Sequence, residues 1–201
     1  MRSDIMPMTG KEQDFNASLA MTEKIGGEQG LDRKSVVRLR LLAEELFGML
    51  RGIAGKVDAD YYLVYEGKNF QLHMKADVSM TDEMRAQFIA ASSSGKNDAA
   101  RGFMGKVRVM IANLLLSSRE ALPYTMTNTV SFYSVDGMAG QMASMWTMMS
   151  YKEDLMNHLH EDGQVREDWD ELEKSIVANI ADDVKVSVVG STVEISVLKS
   201  F

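Results

Sequence analysis

The strongest helical pattern in the chain is SVVRLRLLAEELFGMLRGI, residues 35–53. Its apolar side chains recur at spacings of three and four, which is typical of an amphipathic helix with one buried face. This apolar stripe consists of Val36, Leu39, Leu42, Ala43, Leu46, Leu50 and Ile53. We therefore predict a helix that packs one face into the core of a domain.

A second line of residues on the same helix has an unusual composition. It places Leu41, Glu45, Gly48 and Gly52 at helical spacing, so a carboxylate and two glycines share one line. Each glycine in a helix interior costs about 1 kcal/mol relative to alanine. The close approach of a ligand or of another backbone would offset that cost. The alternative is that the glycines only let neighbouring elements pack closely.

Upstream of this helix the sequence predicts little fixed structure. We assign residues 1–19 to a flexible N-terminal tail, because the first fourteen residues are polar and show no period. A short helix is expected over residues 15–24, and the glycines at 26, 27 and 30 then break the chain. Asp32 or Ser35 can cap the helix that follows. Residues 20–201 are then a single domain.

Two β-hairpins follow from alternating patterns. In residues 70–76, Phe70, Leu72, Met74 and Ala76 alternate with polar residues, and residues 60–66 supply the partner strand. The second hairpin lies at the end of the chain and turns at Gly190-Ser191. Its valines and isoleucine again alternate, so each hairpin is expected to have one buried face.

The segment between the hairpins is predicted to be mostly helical. We expect a helix over residues 82–91, a loop over 92–98 and an apolar helix over 106–116. A helical insertion over residues 117–181 would contain one possible strand, TVSFYSV, and helices over 137–160 and 165–180. The fold class is therefore α+β, a two-layer sandwich of a mixed, mostly antiparallel sheet with helices on one face.

Composition restricts the functions. The net charge of −7, from 22 basic and 29 acidic residues, argues against a nucleic-acid partner. No run is long and apolar enough to span a bilayer. The absence of cysteine excludes disulfides and thiolate metal sites and fits a cytoplasmic protein. His158 and His160 lie about 200° apart on a helix and so do not form a metal site.

The motif LRLLAEELFGML, residues 39–50, resembles the first nucleotide-site motif of the GHKL ATPases, the class of gyrase, histidine kinases and anti-sigma-factor kinases. That resemblance implies a Bergerat-like fold. It places Glu45 at the position of the catalytic, water-activating glutamate and Glu44 beside it. Met49 falls where the family has a magnesium-binding asparagine. Because a thioether is a poor ligand for a hard cation, Mg²⁺ binding is expected to be impaired.

Two further segments resemble nucleotide-site motifs of this family. Asp77 ends the strand QLHMKAD, where the family aspartate reads adenine, although Ser79 and Thr81 replace the glycines that follow it. The segment SSSGKNDAARGFMGKV, residues 92–107, resembles the glycine-rich lid. By the same resemblance, the lid groups that would hold phosphate are the amides of Gly102 and Gly105 and the side chains of Lys96, Arg101 and Lys106.

The resemblance implies a regulatory domain that binds ATP or ADP, is slow or inactive as a kinase, and acts on a protein partner. Family members of the anti-sigma branch often form dimers, so a homodimer is also implied. The alternative is a pseudo-ATPase that binds a protein and no nucleotide. Its contact surface would come from the insertion, which contains Met142, Met145, Trp146, Met149 and Leu155. That stretch would otherwise cover the domain's own sheet.

Overall fold

The computed structural model describes residues 1–54, 58–78, 133–134, 144–158 and 163–201, together with six helical positions between residues 103 and 115. The strands are β1 (Met6–Met8), β2 (Ala59–Glu66), β3 (Asn69–Asp77), β4 (Tyr133–Ser134), β5 (Ser144–Thr147), β6 (Asp183–Val189) and β7 (Thr192–Ser200). The helices are α1 (Glu12–Glu28), α2 (Arg33–Ala54), α3 (Met148–His158), α4 (Gly163–Lys174) and α5 (Ile176–Ile180).

The strands form one sheet in the order β1-β2-β3-β7-β6-β5-β4, and every described pairing is antiparallel. The pairing that joins the two hairpins is between β3 and β7, where Leu72 lies opposite Val197 and Met74 opposite Ile195. The C-terminal hairpin therefore lies next to the first hairpin in the same sheet. This arrangement confirms the predicted α+β class, with a sheet that is antiparallel throughout its described part.

One face of the sheet is buried and lies against helix α2. Alternate residues of β3, β6 and β7 point into this core, and they are Phe70, Leu72, Met74, Ala76, Val184, Val186, Val188, Val193, Ile195 and Val197. Since side chains alternate along a strand, the residues between them lie on the other face, which we call the open face. The two hairpins therefore bury the residues that their alternation predicted.

Helix α2 begins as the sequence predicts. The Asp32 carboxylate accepts a hydrogen bond from the Ser35 amide at 2.8 Å, and this bond holds the pKa of Asp32 below its usual value. Leu39, Leu42 and Leu46 of the predicted stripe are buried in the core. At Gly48 an added Cβ would meet no described atom within 4 Å. No contact in the described part therefore requires glycine at this position.

Residues 1–19, which we predicted to be a flexible tail, contain strand β1 and the first turns of helix α1. Residues 6–8 pair with β2, Arg2 bridges to Val64, and the Ser3 amide donates to the Leu63 carbonyl at 2.9 Å. Helix α1 then begins at Glu12, runs through Gly26 and Gly27 and ends at Glu28, and Gly30 follows it with a φ of +74°. Strand β1 forms because the edge of β2 has unpaired amides and carbonyls, which hydrogen-bond to a neighbouring strand.

The predicted insertion also differs from the structure. Residues 144–147 form strand β5 instead of part of a helix, and Trp146 is buried opposite Val186. Pairing with the edge of β6 overrides the local helical pattern. The predicted helix over 165–180 is divided at Ser175, whose hydroxyl caps α5. The break changes the helical phase, so Val177 is buried and Ile176 is exposed.

The approach of α1 to α2 gives a testable prediction at Gly26. An added Cβ there would lie 3.2 Å from Leu39 Cδ2, whereas at Gly27 it would meet no described atom within 4 Å. Both substitutions to alanine gain the same helix propensity, about 1 kcal/mol, so their difference isolates the contact. We expect Gly26→Ala to be less stable than Gly27→Ala by about 1–2 kcal/mol in urea denaturation. Equal stabilities would contradict this helix contact.

Candidate functional site

The predicted nucleotide-site residues on α2 have different surroundings. Glu44 accepts a hydrogen bond from Arg40 Nε at 2.8 Å, and a second Arg40 nitrogen donates to Glu23 of α1 at 2.7 Å. The hydrogen bonds that Arg40 donates to Glu23 and then to Glu44 raise the pKa of Arg40 above its usual value. Glu44 thus takes part in a link between two helices. Glu45 beside it is half-buried.

Met49 lies inside the core. Its side chain is 0% exposed and belongs to the same buried cluster as Leu46 and Ile195. The spacing of Met49 from Leu42 and Leu46, at seven and three residues, continues the apolar stripe of α2. The residue at the predicted magnesium position therefore packs inside the domain.

Asp77 ends β3 on the open face. The alternation of β3 buries Ala76 and leaves Asp77 exposed, and the Asp77 carboxylate accepts a hydrogen bond from the Ser191 hydroxyl in the β6–β7 turn. Helix α2 lies against the buried face. Strand alternation thus places Asp77 and the α2 residues on opposite faces of the sheet.

The predicted lid lies largely outside the described residues. Gly102, Arg101, Lys106 and Lys96 belong to the part that the structure does not describe. Gly105 is described as helical and buried, between the buried side chains of Phe103 and Val107. Phe103 contacts the rings of Trp146 and Tyr151, with centroid distances of 6.2 and 6.4 Å. This helix therefore packs against the segment that contains β5 and α3.

The open face carries a linked row of side chains that the sequence did not reveal. Tyr62 and His73 stack at 4.8 Å with nearly parallel rings, and Arg2 lies 4.0 Å from the Tyr62 ring centroid. Glu194 Oε1 lies 3.0 Å from His73 Nδ1 and accepts from the Tyr62 hydroxyl at 3.3 Å. Partial burial, and then the charge of Glu194, raise the pKa of Tyr62. Alternation predicted that His73 faces outward, but the row depends on strand register, which sequence alone does not give.

A groove of about 610 Å³ adjoins this row at the end of the sheet. It is lined by Pro7, Met8, Thr9, Asp58, Ala59, Asp60, Lys75, Ala76, Asp77 and Thr192. Among the described residues that line it, the charged groups are three carboxylates and one ammonium group, and together these would repel a phosphate chain. Within the described part of the chain, no group of three or more histidine, aspartate or glutamate residues could hold a metal ion.

Comparisons with known proteins add no family to these observations. No protein-family model matches the sequence, and a search of curated proteins finds no significant match. Among the helices that the structure describes, none has the length and apolar character needed to cross a membrane. The class that the fold defines is an α+β protein with an antiparallel sheet and helices on its buried face.

Proposed function

We propose that this chain is a regulatory domain that uses an ATPase-like α+β sandwich to contact a protein partner, without turning over ATP. One observation carries the proposal: the residues that a nucleotide site would need are apart. Met49 is in the core, and Asp77 lies on the face away from α2. Phosphoryl transfer depends mainly on positioning and on a metal ion, and this separation supplies neither.

The surface that supports a partner contact is on α3. Met149, Glu153 and Met156 follow one another at spacings of four and three, and we call them the α3 stripe. Both methionines are 61% exposed, whereas Met148 and Leu155 of the same helix are buried in the core. Helix α3 is thereby anchored to the domain while its stripe faces solvent. Flexible methionine side chains suit a surface that adapts to a partner.

Point variants test this contact better than a deletion. Removing residues 138–160 would remove β5 and the buried Met148, and would disrupt the fold itself. We expect the double variant Met149→Gln/Met156→Gln to remain folded and to recover its partner from cells of the source organism about tenfold less than the wild type does. Val37→Gln, at an exposed apolar position on α2, is the matched control. Equal recovery by all three proteins would contradict the role of the stripe, and failure to recover any partner would contradict the function.

A second candidate function is nucleotide binding on α2. One observation favours it: helix α2, the β2–β3 hairpin, a further helical segment and the β6–β7 hairpin follow one another in the order that the ATPase resemblance implies. Such a site would not use Asp77. If nucleotide binds there, Glu45→Gln should weaken it and Asp77→Asn should leave the affinity unchanged, as calorimetry can measure. The reverse result would place the base on the open face.

A further inference from the structure

The methionines of this protein differ sharply in exposure. The chain has 17 methionines and no cysteine, so methionine sulfur is its main target for two-electron oxidants. In the described part of the chain, Met49, Met74 and Met148 are buried, while Met149 and Met156 are 61% exposed. Met149 and Met156 are two helical turns apart on the α3 stripe, and Met1 at the start of the chain is the other strongly exposed methionine of the described part. We propose that Met149 and Met156 are a reversible oxidation site for peroxides.

Met148 and Met149 are neighbours in sequence but differ strongly in side-chain exposure. Consecutive residues on a helix point about 100° apart, so Met148 enters the core at 0% exposure while Met149 faces solvent. Their backbone surroundings are shared, because both lie in the first turn of α3, where Asp183 accepts a hydrogen bond from the Met149 amide at 3.0 Å. A difference in their oxidation rates therefore reports burial of the side chain.

The chemistry is a direct oxygen transfer. A sulfur lone pair attacks one oxygen of hydrogen peroxide, the S–O bond forms, and the O–O bond breaks with loss of hydroxide. The proton left on the sulfur-bound oxygen then passes to the hydroxide and gives water. Sulfur is oxidised by two electrons and peroxide is reduced by two, so no other reactant is needed. Methionine sulfoxide reductases, with a thiol reductant, restore the thioether.

Oxidation at these positions would change the surface and leave the fold intact. The sulfoxide oxygens would project into water from side chains that are already exposed, whereas oxidation of Met49 or Met148 would place a polar group in the core. The α3 stripe would become polar at both of its apolar positions. The proposed oxidation site can be tested without knowing any partner, because the experiment measures the oxidation of the methionine side chains themselves.

Peptide mapping after peroxide treatment tests the site. The folded protein would be exposed to hydrogen peroxide, quenched with catalase and digested with trypsin. Met148 and Met149 share the tryptic peptide of residues 120–152, so fragmentation of that peptide in the mass spectrometer locates the added oxygen, whereas Met156 is the only methionine in the peptide of residues 153–166. We expect both residues to be oxidised at least about tenfold faster than Met148, Met49 and Met74, and a sulfoxide reductase to reverse the change. Similar rates at Met148 and Met149 in the folded protein would overturn the proposal.

Two controls separate structure from intrinsic reactivity. In denaturant all methionines should react at similar rates, because the protection of Met148 comes from the fold. The variant Met149→Leu/Met156→Leu should keep the unfolding transition of the wild type. Its peptide of residues 153–166 should no longer be oxidised, and the peptide of residues 120–152 should lose the oxidation located at position 149. If oxidation of the wild type at Met149 and Met156 alone unfolds the protein, the inference of a tolerated, reversible site is wrong.

Discussion

Replacing Met49 with asparagine is expected to lower the free energy of unfolding by about 3–5 kcal/mol and to create no magnesium-dependent nucleotide binding. Asparagine is the residue that the ATPase resemblance places at this position. Met49, however, is 0% exposed in a cluster made of aliphatic and aromatic side chains. The substitution would remove packing volume and bury an amide group. Buried polar side chains in the described part are few, namely Ser18, Thr22 and Asp183, so few hydrogen-bond partners exist for that amide.

Met49→Leu is the matched control, because leucine keeps the apolar character and nearly the volume of the side chain. We expect it to cost less than about 1.5 kcal/mol. Urea denaturation would measure both variants, and calorimetry with ATP and magnesium would test for gained binding. A stable Met49→Asn protein that binds magnesium and ATP would mean that residue 49 faces a ligand site, and it would remove the main support for the proposed function.

The second large effect is expected at a buried hydroxyl pair between α1 and β2. The Thr22 hydroxyl lies 2.7 Å from the Tyr61 hydroxyl and 2.8 Å from the Ser18 carbonyl. Since the Thr22 hydroxyl has one proton and gives it to the carbonyl, Tyr61 must donate to Thr22. Tyr61 is completely buried, and that burial raises its pKa above the usual value. Its proton therefore stays in place over the whole physiological range of pH.

Thr22→Val keeps the shape of the side chain and leaves the Tyr61 hydroxyl without an acceptor, so we expect a loss of about 1–3 kcal/mol in the free energy of unfolding. Tyr61→Phe removes the donor and leaves Thr22 bonded to Ser18, so we expect a smaller loss of about 0.5–1.5 kcal/mol. The double variant should lose less than the sum of the two single losses, because no buried donor is then left unpaired. Strictly additive losses in urea denaturation would contradict this hydrogen bond.

The spacing of apolar residues correctly predicted those helices and strands whose buried face follows from their own local sequence. Leu39, Leu42 and Leu46 of the α2 stripe lie in the core, as do the alternating apolar residues of β3 and of the C-terminal hairpin, and their spacing predicts this. Residues 6–8 and 144–147 are strands for a different reason, because each pairs with a free edge of the sheet. Such pairing depends on distant parts of the chain, which local sequence patterns do not describe.

The candidate site was predictable in part from the same patterns. Met49 continues the spacing of Leu42 and Leu46, and the alternation that buries Ala76 also turns Asp77 outward. The helical spacing of Met49 and the strand alternation at Asp77 were both visible in the sequence. The resemblance to ATPase motifs instead favoured a role for these residues in a nucleotide site. The row of Tyr62, His73 and Glu194 had no such signal. It is assembled by the register of β2, β3 and β7, which appears only once the strands are paired.

The most direct test of the central claim is calorimetric titration of the wild-type protein with ATP, ADP and a non-hydrolysable ATP analogue, each with and without magnesium. Because Met49 is buried and Asp77 lies on the face away from α2, we expect no binding heat and no thermal stabilisation by any of the three nucleotides. Magnesium-dependent binding with a dissociation constant in the micromolar range would contradict the claim and establish a nucleotide site on this domain.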